Sequence, residues 1–158
     1  MWLAAITMII MLMVFACGGM LLYIHTIKAE TVKKIEMLSE NTLEVTPSEF
    51  FEIRNKSIGK KHISTQYAFA GVYILYNHTK NMYYVGQGKN VFQRVNAHFT
   101  GHGNGDVYAD YKYGDYFTIK MIQLVGSGFD SLNDLERNTI AAYDAYSNGY
   151  NKTRGNRR

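Results

Sequence analysis

Residues 71–90 read GVYILYNHTKNMYYVGQGKN. Two runs of β-branched and aromatic residues flank the polar segment NHTKN. Such residues suit half-buried strands, and a polar segment of five between two such runs reads as a hairpin. Strands are therefore expected over residues 69–76 and 82–86. Gly71 and Gly86 interrupt these runs, and glycine in a strand marks a bulge or the close approach of another group. Tyr73 and Tyr84 each stand two residues from one of these glycines. Tyrosine at such positions usually serves cross-strand packing.

Downstream, Asn90 is placed to cap a helix, VFQRVNAHF, whose apolar stripe is Phe92, Val95 and Phe99 with Val91 at its edge. Arg94 and His98 are four apart, so they share one side at the margin of that stripe. A neighbouring Arg and His at a sheet edge suit a phosphate; on any exposed helix they would equally be a solvated flank. TGHGNGDVYADYKYG reads as a long loop. Its acids, with Gly103, Asp106, Asp110 and Asp115 as the calcium-like set, do not match the EF-hand spacing and read as turn formers. A third strand is expected over residues 115–124. Ser131 to Asp134 form a capping box that opens a second helix, LNDLERNTIAAYDAY, ended by Gly149. Its buried stripe should be Leu132, Leu135, Thr139, Ile140, Tyr143 and Tyr146. Glu136 falls inside that stripe, where a carboxylate needs an ion pair, hydrogen bonds or a metal to offset its desolvation. The order β-β-α-β-α predicts a small α+β domain over residues 67–155, followed by a basic tail at 156–158.

Upstream, residues 2–24 carry no charge and are long enough to cross a hydrocarbon core as a helix. A transmembrane anchor is expected over residues 1–25. Lys28, Lys33 and Lys34 follow it and none precedes it, which places the later domain on the cytoplasmic side of a single-pass protein. An export signal is the rival reading, weakened by the missing N-terminal Lys or Arg. Residues 26–66 read as a charged helical linker, with a helix start at Thr46-Pro47-Ser48-Glu49. The chain has net charge +4 and a single cysteine, Cys17, inside the apolar run. That rules out an intrachain disulfide and gives no support to a thiol enzyme. The basic balance permits a nucleic acid or an anionic membrane surface as partner. No zinc-ligand spacing and no helix-turn-helix signal accompanies it.

Together these motifs resemble the GIY-YIG nucleases. The first motif stands here as Gly71-Val72-Tyr73 and the second as Tyr84-Val85-Gly86, with Val for Ile in both. The family's arginine matches Arg94, followed by His98; its glutamate matches Glu136 in LER; its asparagine matches Asn151 in GYNKT. The resemblance covers roughly residues 67–155. It implies a three-stranded antiparallel sheet flanked by helices, and hydrolysis of DNA phosphodiesters with one divalent metal, Mg²⁺ or Mn²⁺. Tyr73, Tyr84, Arg94, His98 and Glu136 would be catalytic, with Glu136 the metal ligand and either Tyr73 or His98 the base. Gly86, Lys89 and Asn151 would contact substrate. A separate specificity subunit is implied as partner, because the chain shows no recognition module of its own. A catalytically silent DNA-binding domain that keeps the fold is the alternative.

Overall fold

The computed structural model describes residues 2–59 and 61–156, with side chains from Cys17 onward. Five α-helices, one short 3-10 helix (Ile63–Tyr67) and five strands are present among them: α1 (Trp2–Glu40), α2 (Pro47–Asn55), β1 (Ser57–Ile58), β2 (Lys61–His62), β3 (Gly71–Asn77), β4 (Met82–Gly88), α3 (Val91–Phe99), α4 (Gly105–Lys112), β5 (Phe117–Gln123) and α5 (Leu132–Ala142). β3 lies between β4 and β5, antiparallel to both, while β1 and β2 form a separate small ribbon. The expected α+β architecture with a three-stranded antiparallel sheet is therefore present.

Strand alternation divides the core in two. Tyr73 and Leu75 of β3, with Ile119 and Met121 of β5, face a layer containing Phe50, Phe92, Val95 and Phe99. Val72, Ile74, Val85 and Ile122 face the other way, onto Ile35, Leu135 and Ile140. β3 is thus covered on both faces, which explains its nearly continuous apolar run. The β3–β4 turn is one residue shorter than expected, because Asn77 pairs with Met82 inside the ladder. Asn81 takes φ 53° in that turn, a conformation asparagine tolerates better than most residues.

Residues 26–66 do more than link. The second half of α1 lies against α5 and β5, with Ile35 fully buried. Lys34 Nζ donates to the Gly128 carbonyl at 2.7 Å. Val45 bridges Ile119 as a short extension of the sheet, and Phe50 of α2 stacks on Phe92 with ring centroids 4.3 Å apart. The Thr46–Glu49 capping box forms as expected.

Two local expectations are corrected. The Gly- and Asp-rich segment contains α4, which Asn104 caps by accepting from the amides of Asp106 and Val107. Val107 is buried and Tyr111 packs against the same core, so an i, i+4 apolar pair holds the helix down. α5 ends at Ala142, with Asp144 in the left-handed region at φ 48°. The helical phase is lost there, so Ala145 enters the core and Tyr146 stays exposed.

Among the described residues, no helix is long and apolar enough to cross a membrane. The expected anchor at residues 2–24 falls largely on residues 2–16, whose side chains lie outside the described set. Arg157 and Arg158 of the basic tail also lie outside it.

Candidate active site

The two tyrosine motifs meet because of the hairpin register. Tyr73 pairs directly with Gly86, and Gly71 with Gly88. A Cβ on Gly86 would stand 2.3 Å from the Tyr73 hydroxyl oxygen, so the phenol of the first motif crosses over the glycine of the second. A Cβ on Gly88 would stand 2.6 Å from Cγ of Arg94. The glycines are gaps through which two functional side chains pass. Gly86 is itself buried beneath Tyr73.

α3 presents Arg94 and His98 very differently. His98 is 1% exposed, whereas Arg94 is exposed and pairs with no carboxylate among the described residues. His98 Nε2 lies 2.8 Å from the Tyr73 hydroxyl, and its Nδ1 accepts the backbone N–H of Asn104 at 2.9 Å. These two contacts fix the tautomer. A ring nitrogen that accepts an amide hydrogen carries none, so the proton of the neutral imidazole sits on Nε2 and is donated to Tyr73. Burial, with the Arg94 charge, pushes the His98 pKa down to about 4. His98 is therefore neutral at neutral pH.

Both phenols are held above their ordinary pKa range. Burial dominates for Tyr73, with the Tyr84 phenol adding to it and Arg94 opposing it. Burial also dominates for Tyr84, while the Tyr73 hydroxyl and Arg94 pull it down and Glu136 pushes it up. Arg94 and Glu136 thus act on the same phenol from α3 and α5, on opposite sides of the sheet edge.

Glu136 is 8% exposed and has no cationic partner among the described residues. Its Oε2 accepts from Gln87 Nε2 at 2.9 Å and from the Asn156 amide at 3.5 Å. Neither bond uses Oε1. Burial raises its pKa, partly offset by Gln87. No cluster of three or more His, Cys, Asp or Glu side chains suited to a metal occurs among the described residues. The donor set still fits Mg²⁺, which keeps several waters and binds through one or two carboxylates plus substrate oxygens.

Gln87, Gly103 and Asn104 were missed from sequence. Gln87 lies in GQG, two residues after Val85, and strand alternation places it toward α5 with Val85. Gly103 brings the α3–α4 turn against the imidazole: a Cβ there would meet His98 Nδ1 at 2.6 Å. Asn151 joins the site only through the backbone. Its Oδ1 accepts from Val85 N–H at 2.8 Å and its Nδ2 donates to Val85 O at 2.7 Å. Lys89 is exposed just beyond β4. A cleft of about 990 Å³ between α2 and the α4–β5 turn contains none of these residues.

The family model of the GIY-YIG catalytic domain matches residues 69–151, more than half of the chain. No curated protein and no solved structure matches it.

Proposed function

The chain belongs to the GIY-YIG family, and from that premise we propose a membrane-tethered, metal-dependent endonuclease that hydrolyses DNA phosphodiester bonds. A nuclease activity follows from the catalytic domain itself. The observation that carries the finer reading is an exposed guanidinium, Arg94, and a buried carboxylate, Glu136, neither with an ion-pair partner among the described residues, on the two helices that flank the hairpin.

Arg94 receives the scissile phosphate. Its planar fork can meet two non-bridging oxygens, and it opposes the charge that builds as water attacks. Glu136 Oε1 would hold Mg²⁺ or Mn²⁺, which when bound would neutralise charge on the phosphoryl and leaving oxygens. Lys89 lies near enough in sequence to Gly88 to extend the phosphate contact along the strand backbone.

The base is Tyr84 in this reading, rather than Tyr73 or His98. The Nε2 of His98 is already occupied by a proton, so it donates to Tyr73 and cannot take a proton there. Burial keeps the Tyr73 hydroxyl protonated, while that hydroxyl and Arg94 both pull the Tyr84 pKa down against the larger effect of burial. The Tyr84 oxygen acts as base once its own proton has passed to solvent, a loss the Arg94 charge assists; the phenolate then takes the proton of the attacking water. Neutralising Glu136 would also remove the charge that pushes the Tyr84 pKa up. The water oxygen bonds phosphorus as the P–O bond to the leaving strand breaks, and the leaving oxygen is protonated from solvent. His98 and Tyr73 are positioning residues.

The tether is supported by the uncharged run at residues 2–24 and by Met20, Leu21, Leu22, Tyr23 and Ile24, five consecutive side chains exposed around the whole helix. A water-facing helix buries one stripe, so exposure of large apolar groups on every face suits lipid. The positive-inside bias puts the domain in the cytoplasm.

The test is plasmid nicking by the full chain in detergent, with Mg²⁺ and with EDTA. The full chain is needed because a fragment starting near Tyr67 would lack Ile35, Val45 and Phe50. Cleavage should require the metal and be lost in Arg94→Ala and Glu136→Ala. Parental rates in either variant would sink the site assignment, and release of the protein from membranes by alkaline carbonate would sink the tether.

A further inference from the structure

Two adjoining hollows lie where α1 leaves its apolar run and meets α5. The first is a groove of about 880 Å³ whose lining is mostly apolar, with Ile24, Ile27, Val32 and Ala141 along it and Lys33 and Glu36 on it. The second is a cavity of about 370 Å³ holding Lys28, Arg137, Asp144, Tyr146 and Arg154. Lys28 and Ala141 line both, so the two adjoin across these residues. None of the candidate catalytic residues lines either.

The charges in the cavity do not cancel. Arg137 donates to Asp134 at 2.6 Å, but a guanidinium has five N–H donors and most remain available. The Arg154 guanidinium lies 5.3 Å from the centroid of the Tyr146 ring, an open contact that leaves its charge uncompensated. The Asp144 carboxylate accepts from the Asn148 amide. Three cations line the cavity against the carboxylates of Asp144 and of Asp134, which pairs with Arg137, so positive charge is in excess. Lys28 follows Ile24 by four positions, a rise of about 6 Å along the helix, which is the depth of a headgroup layer beside a hydrocarbon core. Tyr23 and Tyr146 are exposed nearby, as aromatic residues are at a membrane boundary.

We propose that the groove and cavity form a binding site for one anionic phospholipid, its acyl chain along α1 and its phosphate among Lys28, Arg137 and Arg154. The proposal rests on the membrane-tethered reading above. An apolar groove opening into a cationic cavity matches an amphipathic anion. A nucleic-acid strand would leave the groove unused. Because α1 runs unbroken to the buried Ile35, the bound lipid would also bear on how the nuclease core leans on the membrane.

The experiment reconstitutes the full chain in nanodiscs of phosphatidylcholine, with or without phosphatidylglycerol, and follows amide hydrogen exchange. Amides between Arg137 and Arg154 should exchange about tenfold more slowly in the anionic discs. The combined variant Lys28→Gln, Arg137→Gln, Arg154→Gln should erase that difference while retaining parental thermal unfolding. Equal exchange in both discs, with the chain inserted, overturns the site and leaves the anchor standing. Failure to insert into neutral discs, with variant-sensitive binding to anionic vesicles, overturns the anchor and leaves a peripheral lipid site; binding to neither overturns both. Protection in neutral discs by inorganic phosphate would show a free-anion site, and protection by an oligonucleotide a nucleic-acid face; either result overturns the lipid proposal.

Discussion

The β3–β4 hairpin carries a polar cluster at each end, and the two are built on opposite rules. At the turn end, Asn77 Nδ2 donates to Asp115 Oδ2 and to the Tyr150 hydroxyl, both at 2.7 Å. Tyr150 donates to Asp110 Oδ2 at 2.6 Å, and Lys80 Nζ pairs with Asp110 at 2.5 Å. Each acid there has a donor, and each donor an acid or an amide. At the glycine end, among the described residues, Glu136 has no cation and Arg94 no anion. A buried polar cluster that satisfies itself holds a fold together, while one left incomplete retains binding capacity for something else. The same hairpin thus separates a self-satisfied polar cluster from the candidate site by about the length of one strand.

The sharpest way to break this comparison is to neutralise one residue at each end. Glu136→Gln should lower the cleavage rate by a factor of roughly a hundred or more, as loss of a group that stabilises transition-state charge does. Without metal it should not destabilise the fold. The Glu136 pKa is raised in the fold, so its ionised form costs stability above the unfolded carboxylate pKa. The glutamine variant should therefore unfold at a higher temperature than the parent at pH 7, with the gap closing as pH falls through the carboxylate range. Thermal scans at several pH values check this. A lower melting temperature at pH 7 would place Glu136 among the supporting groups.

His98 gives the next largest effect, in stability against pH. Its pKa is pushed down to about 4 in the fold, below the unfolded value near 6.5. The unfolded chain takes up a proton first, so stability falls as pH drops from about 6.5 to 4, by on the order of 3 kcal/mol, and is flat on this account above 7. Urea unfolding of parent and His98→Gln should differ in that slope. Cleavage by the parent should show no inflection near pH 6.5, and one there would contradict the neutral, donating imidazole.

At the supporting end, Asp110→Ala should destabilise by about 1–3 kcal/mol, because Tyr150 loses its acceptor. Cleavage per folded molecule should be unchanged; a large loss would show that the two ends are coupled. The smallest expected effect is that of Gly103→Ala, whose Cβ would crowd His98 Nδ1. It should cost about 1 kcal/mol and slow cleavage several-fold by loosening Tyr73. Imidazole nitrogen shifts by NMR should then show a mixed tautomer where the parent has one.

The strands were legible because β-branched and aromatic runs admit few other readings, and Glu136 was legible as a charge inside an apolar stripe. Gly86 was legible as a bulge or the close approach of another group, but which group approaches it, and any such role for Gly88, was not. That depends on which residues face each other across two strands, and only the pairing of Tyr73 with Gly86 discloses it. α4 hid behind glycine and aspartate, although Asn104 with Val107 and Tyr111 offered a cap and an i, i+4 pair. Ile35 hid among the lysines of α1, whose composition describes the solvent face and not the buried one. His98 was placed at a margin, but helical spacing cannot say that a turn from Gly103 will close over it.

The outer edge of β4 is stitched to the chain's own later segment: Tyr150 N–H donates to the Tyr83 carbonyl at 2.9 Å, and Asn151 closes both polar groups of Val85. Sheets with bare margins recruit foreign strands. A break or bulky insertion ahead of residue 149 would uncover that margin between the two residues, Tyr84 and Gly86, that shape the site. The first symptom of such damage would be clumping of one molecule with another, before any helix unwinds.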